Sequence, residues 1–267
     1  MLSDFRAGGR RRQDWGEGGG AVPYSTEIDA CEKRVGWMSE KRIIVAIDGP
    51  AGAGKSTLAK RIAERLGFVY INSGAMYRAV ALWALRVGVD LKDMHRLEQL
   101  AREAKIELRA GDGRVLLNGE DVTEAIGDAR VSEAASKVSA VPGVRRALLH
   151  LQREMARTNN VVMEGRDIGT VVFPQAQVKV FLDADPAERA RRRAMELREQ
   201  GRTTDFESVA SALERRDERD RKRKEAPLVQ APDAELVDTT GLSLDEVEEA
   251  LLRLVRARTS NGKAAAQ

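Results

Sequence analysis

Residues 43–57 read IIVAIDGPAGAGKST, and this stretch decides the fold. Its first five residues are apolar and mostly β-branched, which is typical of a strand buried on both faces in a parallel sheet. The strand leads into GPAGAGKS, which begins at Gly49 and matches the phosphate-binding loop G-x-x-x-x-G-K-[ST] at every specified position. A helical pattern follows and stops at Gly67. Strand, loop and helix together predict a site for a nucleoside triphosphate.

The loop residues have the chemistry that such a site requires. Glycines allow backbone amides to turn inward around a polyphosphate, and the helix that follows directs its positive end at the same place. Lys55 can reach the outer phosphates, and the hydroxyl of Ser56 can bind the Mg²⁺ that accompanies them. We therefore expect the triphosphate to be held by Gly49, Pro50, Ala51, Gly52, Ala53, Gly54, Lys55, Ser56 and Thr57.

Composition limits the class of protein. The chain has 267 residues, 42% hydrophobic and 33% charged, which is enough for one large α/β domain with an insertion or for two small domains. A net charge of +3 is slight for this length and gives no strong argument for a nucleic-acid partner. Cys31 is the single cysteine, so no intrachain disulfide can form. Because no run of about 18 apolar residues is present, we expect a cytoplasmic protein that does not span a membrane.

The two ends of the chain differ from its middle. Residues 1–41 are rich in Gly and charge and have no sustained periodicity, so we expect a disordered N-terminal extension. An RNA-binding Arg/Gly tail is a less favoured alternative. Met38 lies just ahead of the first strand, so a further alternative is that translation begins there. At the other end, we expect residues 259–267 to form a frayed tail.

Apolar runs alternate with helical patterns in between, which indicates a doubly wound parallel sheet with the phosphate loop after its first strand. A second strand at 68–71 leads to Ser73, a predicted helix N-cap, and to Arg78 about one turn later. The strand at 161–163 ends in a polar Glu-Gly-Arg-Asp cluster, and ligands of open α/β sheets gather at such carboxyl ends. Further strands are predicted at 178–182 and 235–238.

Two segments interrupt this alternation. Residues 106–124 contain short strands around Gly-rich and Asn-Gly turns, which predicts a small antiparallel sheet inserted into the α/β chain. Residues 207–224 form a helical pattern dense in arginine and acidic residues. This run is either a solvated helix face with i,i+4 ion pairs or a mobile flap whose arginines close over phosphates. Arginines suit phosphoryl transfer, which needs positioning and charge neutralisation more than covalent help.

Four motifs in the chain resemble one family. The chain is similar to the bacterial cytidylate kinases, members of the nucleoside monophosphate kinase family, over about residues 42–258. The phosphate loop is shared by many families, whereas the second and third motifs together are specific to this one. The motifs are IDGPAGAGKST at 47–57, SGAMYR at 73–78, EGRDIGTVVFP at 164–174, and RDERDRKR at 216–223 followed by APL at 226–228.

The resemblance implies a P-loop NTPase fold, with a five-stranded parallel sheet flanked by helices. It also implies a CMP-binding insertion at about 100–145, built on the small antiparallel sheet, and a helical lid at about 203–227. The implied reaction moves the γ-phosphoryl group of ATP to CMP or dCMP, which gives ADP with CDP or dCDP. ATP and Mg²⁺ are the implied cofactors. The implied partners are small molecules, without nucleic acid or membrane, and a monomer is expected.

The resemblance also assigns roles to residues. Arg78 and Arg166 would hold the CMP phosphate, with Arg223 joining on lid closure, because guanidinium groups bind phosphate in a bidentate manner. Ser73 lies beside that site, and Ser56 would bind Mg²⁺ through ATP. The implied catalytic residues are Lys55, Arg166, Arg216 and Arg223. The implied CMP-binding residues are Ser73, Arg78, Ser136, Arg145, Arg166, Asp167, Asp220 and Arg223.

The cytosine ring would be recognised by its hydrogen-bonding groups. Asp167 and Ser136 would accept from the amino group, and Arg145 would donate to the ring acceptors. Arg216 and Asp220 would meet the sugar hydroxyls or the transferring phosphoryl group. The chain departs from the family pattern at two positions, where Asn72 and Gln175 each replace a common aspartate. We expect only modest effects, although Asn72 adjoins the magnesium side of the site.

Two rival functions follow from the same residues. One is a kinase for another small acceptor, such as UMP, AMP or shikimate. The other is a nucleotide-switched RNA-binding protein that uses the Arg/Gly tail. The slight net charge and the lack of a guanine-reading N/T-K-x-D motif weaken this second rival.

Overall fold

The structure, a computed structural model, describes residues 42–109, 113–199 and 201–264, with side chains up to 259. The predicted N-terminal extension and the turn at 110–112 lie outside the described residues. The strands are β1 (Ile44–Asp48), β2 (Val69–Asn72), β3 (Ile106–Leu108), β4 (Val115–Leu117), β5 (Glu120–Asp121), β6 (Val161–Gly165), β7 (Val178–Asp183) and β8 (Glu235–Asp238). The helices are α1 (Lys55–Leu66), α2 (Ser73–Arg86), α3 (Met94–Glu103), α4 (Ala129–Val138), α5 (Pro142–Met155), α6 (Pro186–Glu199), α7 (Phe206–Lys222) and α8 (Leu244–Ala264).

The main sheet has five parallel strands in the order β2-β6-β1-β7-β8, which confirms the predicted fold class. β1 is central, and its neighbours β6 and β7 come much later in the chain. The phosphate loop therefore leaves the middle of the sheet at the carboxyl edge. The polar cluster at the end of β6 lies next to it, since Asp48 is in register with Gly165.

Alternation along β1 explains why both faces of the sheet are covered. Val45 and Ile47 pack with apolar residues of α1 and α8 on one face. Ala46 packs on the other face, against β6 and the π-helical turn Ile168–Val172 that follows it. Burial of both faces accounts for the continuous apolar run that marked this strand in the sequence.

A second core lies outside the main sheet. Strands β3, β4 and β5 form the predicted antiparallel sheet. Apolar side chains of this sheet pack with α2, α3, α4 and α5 in one cluster, which includes Val80, Leu97, Val115 and Leu148. The insertion predicted at about 100–145 falls within this layer, and its role in binding CMP stays a prediction.

One predicted helix terminus was wrong and another is confirmed. The N-cap of α2 is Asn72, whose side chain accepts from the Ala75 amide at 3.0 Å, and Ser73 is the first helical residue. Both residue types are good caps, so neighbouring Asn and Ser left the sequence pattern ambiguous. α8 runs to Ala264, and the expected frayed tail at 259–267 stays a prediction. The predicted stop of α1 at Gly67 is confirmed, since Gly67 has a left-handed backbone with φ of 65°.

The helices of the described residues include none that is long and apolar enough to cross a membrane.

Candidate active site

The phosphate loop is shaped by close backbone contacts. Gly49 has φ of 146°, and a Cβ there would lie 2.0 Å from the carbonyl oxygen of Leu182 in β7. No other residue fits at this point. The buried Lys55 donates from Nζ to the carbonyl oxygen of Pro50 at 2.5 Å. Burial, followed by the charge of Arg166, lowers the pKa of the Lys55 ammonium to about 7. The lysine is thus held inside the loop, where a phosphate would restore its charge.

Oxygen ligands lie beside the loop. Ser56 is exposed at the start of α1 and lines the same cavity as Tyr70 and Glu164. The Tyr70 hydroxyl donates to the buried carboxylate of Glu164 at 2.8 Å. A hydroxyl and a carboxylate are the oxygen ligands that Mg²⁺ prefers, so the residues present fit this ion. The Asn72 side chain caps α2 and also hydrogen-bonds Tyr70 of this group.

The end of β6 brings α2 close to the phosphate loop. The Ser73 hydroxyl donates to the backbone carbonyl of Glu164 at 2.7 Å. A Cβ at Gly165 would lie 2.6 Å from that hydroxyl, so glycine permits the approach. Ser73 is therefore committed to joining α2 to β6, beside the predicted phosphate site and without a charge of its own.

Arginines and aspartates alternate along the cleft. Arg145 pairs with Asp167, and the Asp167 carboxylate also lies 3.4 Å from Nη2 of Arg223. Arg223 is in turn 3.9 Å from Asp220, which accepts from Nε of Arg166 at 3.0 Å. Burial raises the pKa of Asp220, but the surrounding arginines together lower it by more. The net shift of this pKa is therefore downward. This row of five side chains has three arginines and two aspartates, so its aspartates balance all but one of its positive charges.

Two further arginines lack carboxylate partners. Within the described ranges Arg78 forms no ion pair, and burial lowers the pKa of its guanidinium. Among the residues that the structure describes, Nε of Arg216 is a buried donor without a hydrogen-bond partner, and burial lowers the pKa of Arg216 to about 10. A buried charged donor without a partner is costly, which is typical of a site that awaits an anion. Both residues line the cavity that contains the phosphate loop.

The residues predicted to bind the base are already paired with other protein groups. The Arg145 guanidinium lies 5.4 Å from the centre of the Tyr77 ring and donates to the Ser139 carbonyl at 3.2 Å. Arg145 and Asp167 are both buried. The hydroxyl of Ser136 accepts from Nε of Arg219 at 3.1 Å. Arg145 and Asp167 line the main cavity together, whereas Ser136 is not among its lining residues.

Sequence reasoning missed several buried groups that position the site. Asp217 of α7 accepts from the Ala51 amide, and Arg189 of α6 donates to both Ala51 and Asp217. Asp48 accepts from the amides of Ile168 and Gly169 at 2.8 and 2.7 Å, and burial raises its pKa to about 6. Asp48 could have been found from its position in the phosphate-loop motif. Asp217 and Arg189 gave no such signal, because charged residues on a polar helix are expected to be solvated.

One cavity of about 890 Å³ joins these parts. The phosphate loop and arginines from several other segments line it together. Its lining includes Lys55, Ser73, Arg78, Arg145, Arg166, Asp167, Arg216, Asp220 and Arg223. A phosphate loop that shares a cavity with a cluster of arginines is typical of a kinase of the P-loop class.

Comparison with known proteins gives the particular family. The cytidylate kinase family model matches residues 45–257. A cytidylate kinase of Solibacter usitatus is 61% identical over 226 residues, which are 84% of this chain and 97% of the relative. A cytidylate kinase of Pelotomaculum thermopropionicum is 50% identical over 222 residues, which are 82% and 96% of the two chains. The chain belongs to the cytidylate kinase family, and the resemblance noted in the sequence is confirmed.

Solved structures are more distant. A gluconokinase from Sinorhizobium meliloti is 15% identical, covers 85% of this chain and 98% of its own, and has a TM-score of 0.46. Family membership therefore depends on the curated relatives. It makes the chain a phosphotransferase that phosphorylates CMP with ATP.

Proposed function

We propose that the cavity holds ATP and CMP, or dCMP, at the same time and moves the γ-phosphoryl group directly between them. The observation that carries this proposal is that Lys55 and the two arginines without carboxylate partners, Arg78 and Arg216, line one cavity. Because direct transfer requires donor and acceptor in line, one shared cavity supports this reaction better than two separate sites. The products are ADP and CDP or dCDP.

The donor side is the phosphate loop over residues 49–57. Its backbone amides and the start of α1 surround the triphosphate, and Lys55 neutralises charge on the outer phosphates. Mg²⁺, when bound through ATP and Ser56, supplies further positive charge at the phosphate oxygens. ATP and Mg²⁺ thus remain the proposed cofactors.

The acceptor side is the arginine cluster. Arg78 and Arg166 bind the CMP phosphate, and Arg223 joins them from the end of α7. The pairing of Arg166 with Asp220 at 3.0 Å keeps its guanidinium in place before any substrate arrives. Arg216 is then available for charge that develops on the transferring group, and Asp220 for the sugar hydroxyls. Each of these roles is a positioning or electrostatic one, so no general base is needed.

The base is selected by the pair of Arg145 and Asp167. A cytosine amino group donates to the carboxylate, while the ring acceptors receive N–H bonds from the guanidinium. Stacking on Tyr77 and the bond to Ser139 orient Arg145, which limits the geometries that a base can adopt. Ser136 assists through its hydroxyl. Uracil carries an oxygen where cytosine carries the amino group, and it would face the Asp167 carboxylate with repulsion.

α7 and its flanks, about 203–227, act as a lid. Closure over both nucleotides excludes water, which would otherwise receive the phosphoryl group and waste ATP.

The expected monomer and the expected cytoplasmic location accord with small-molecule substrates, and both stay predictions. Size-exclusion chromatography with light scattering measures the first of them.

The test is release of ADP from ATP–Mg²⁺ with CMP, dCMP, UMP and AMP compared in parallel. CMP and dCMP should exceed UMP and AMP in kcat/KM by at least about tenfold, because buried polar groups discriminate strongly against mismatched partners. Activity confined to UMP or AMP would contradict the proposal. A catalytically silent Lys55→Ala variant measures background ADP release.

A further inference from the structure

Arg219 joins the lid helix to the insertion helix. Its Nη1 and Nη2 atoms donate to the two carboxylate oxygens of Glu133 at 2.9 and 3.0 Å. Its Nε donates to the Ser136 hydroxyl at 3.1 Å. Glu133 and Ser136 are three residues apart on one face of α4. All three guanidinium nitrogens of Arg219 therefore donate hydrogen bonds to one other helix, α4.

This contact differs from an ordinary surface ion pair. The two-pronged geometry is the strongest arrangement for an arginine and a carboxylate, and it lowers the pKa of Glu133. Ser136 is 3% exposed, so the third bond is made inside the protein. The neighbouring arginine of α7, Arg215, donates a hydrogen bond to Ser211 of its own helix and acts on Glu133 through its charge without a hydrogen bond in the described part of the chain. Arg219 is thus selected by geometry among the many charged residues of this helix.

The two helices carry opposite parts of the proposed reaction. α7 bears Arg216 and Asp220, which face the reacting phosphates, whereas α4 bears Ser136 of the proposed base site. A hydroxyl that accepts from Arg219 can still donate its own proton or accept once more. A base that binds against α4 and bonds to the Ser136 hydroxyl would change the hydrogen bond that this hydroxyl accepts from Arg219 of the lid helix.

We propose that Arg219 is a positioning residue that couples acceptor binding to the position of the lid. This inference rests on the proposed function, because it requires Ser136 to lie in the CMP site. Arg219 fixes the Ser136 hydroxyl for the base and holds α7 against α4, which aligns Arg216 and Asp220 only when the acceptor part is in place. Loss of Arg219 weakens CMP binding and leaves the lid able to close over ATP with water as acceptor.

The test compares Arg219→Gln, Glu133→Gln and the double variant with Arg215→Gln as the matched control. Arg219→Gln should raise KM for CMP about fivefold to tenfold, the effect of losing charge-assisted bonds, with KM for ATP changed less than about twofold. Glu133→Gln should raise KM for CMP less, since the bond to Ser136 remains. The double variant should be no worse than Arg219→Gln, because both changes remove one contact. The ratio of ATP hydrolysis to CMP phosphorylation should rise in Arg219→Gln alone among the arginine variants.

Other outcomes overturn the inference. Equal rises in KM for ATP and CMP, or an effect that Arg215→Gln reproduces, would reduce Arg219 to a structural residue. Additive effects of the two single variants would also exclude a shared contact. If Arg219→Gln does not fold, Glu133→Gln with unchanged KM for CMP is sufficient to overturn it. Failure of the wild type to phosphorylate CMP would instead contradict the proposed function, so the two failures are distinguishable.

Discussion

Asp217 of the lid helix accepts a hydrogen bond from the Ala51 amide of the phosphate loop at 3.2 Å, across 166 residues of sequence. Arg189 completes the contact, since it donates to the Ala51 carbonyl at 3.1 Å and also pairs with Asp217. Asp217 and Arg189 are 2% and 5% exposed. The backbone N–H and C=O groups of Ala51 in the phosphate loop are therefore bound by Asp217 of α7 and Arg189 of α6, respectively.

Removal of Asp217 should destabilise the fold and disturb the loop. Asp217→Ala takes away the near carboxylate of the buried Arg189 and leaves it only Asp183, 3.9 Å from its Nε. Loss of one partner of a buried ion pair costs about 3–5 kcal/mol in comparable cases. Urea unfolding should show a loss of this order, and KM for ATP should rise. Asp217→Asn keeps an acceptor for the Ala51 amide, so its free energy of unfolding should lie between those of wild type and Asp217→Ala. A free energy of unfolding for Asp217→Ala within about 1 kcal/mol of wild type would contradict this role.

ATP binding should take up a proton in mildly alkaline solution. Burial lowers the pKa of Lys55 to about 7, so the free protein holds this lysine mostly neutral near pH 8 and mostly charged near pH 6. Bound phosphates stabilise the ammonium and raise its pKa. Calorimetry in buffers of different ionisation enthalpy should therefore give close to one proton taken up near pH 8 and close to none near pH 6.

Lys55→Arg is the matched control for that measurement, because arginine keeps its charge at both pH values. Its proton uptake near pH 8 should be absent. Equal uptake by wild type near pH 6 and pH 8 would show that Lys55 does not titrate with ATP. That comparison remains decisive if the arginine variant binds ATP too weakly to measure.

Arg216 should matter for turnover and little for stability. Its Nε is a buried donor without a partner, so Arg216→Met removes a group that does not stabilise the free protein. Turnover should fall by about 10²–10³, as for loss of one donor to transition-state charge. The exposed neighbour Arg215 provides the control, and Arg215→Met should keep activity within about twofold. Turnover of Arg216→Met within threefold of wild type would remove it from the catalytic set.

Asp167 should control the choice of base. Asp167→Asn replaces a carboxylate, which only accepts, with an amide that both accepts and donates. Uracil then finds a donor for its oxygen, and the ratio of kcat/KM for CMP over UMP should fall by about tenfold or more. The same acceptor assay measures it. An unchanged ratio would mean that the base is read elsewhere, for instance by Ser136 alone.

The sequence predicted the parts of the fold that depend on neighbours in the chain. The phosphate loop, the strand before it and the stop at Gly67 follow from local patterns of glycine, charge and β-branched residues. The cap at Asn72 was missed because Ser73, beside it, is an equally good cap. Boundaries of this kind are set by a single hydrogen bond, here the one to the Ala75 amide.

The sequence could not predict contacts between distant segments of the site. Asp217 and Arg219 lie in a helix so rich in charge that each looks like a solvated residue. Their roles depend on the burial of one face of α7 against the phosphate loop and α4, which charge composition does not reveal. The residues proposed to read cytosine and to bind the CMP phosphate were predicted only through motifs shared with a family. Their pairing, such as Arg145 with Asp167, appears only in three dimensions.

The central claim is that donor and acceptor nucleotides occupy one cavity together. A single molecule with adenosine and cytidine joined through five phosphates should then bind with one site per chain. Steady-state inhibition measures the claim directly. The account predicts that this compound competes with ATP and also with CMP, and that Arg78→Met weakens it. Inhibition that is competitive with ATP but is not relieved by raising CMP at fixed ATP would contradict the account.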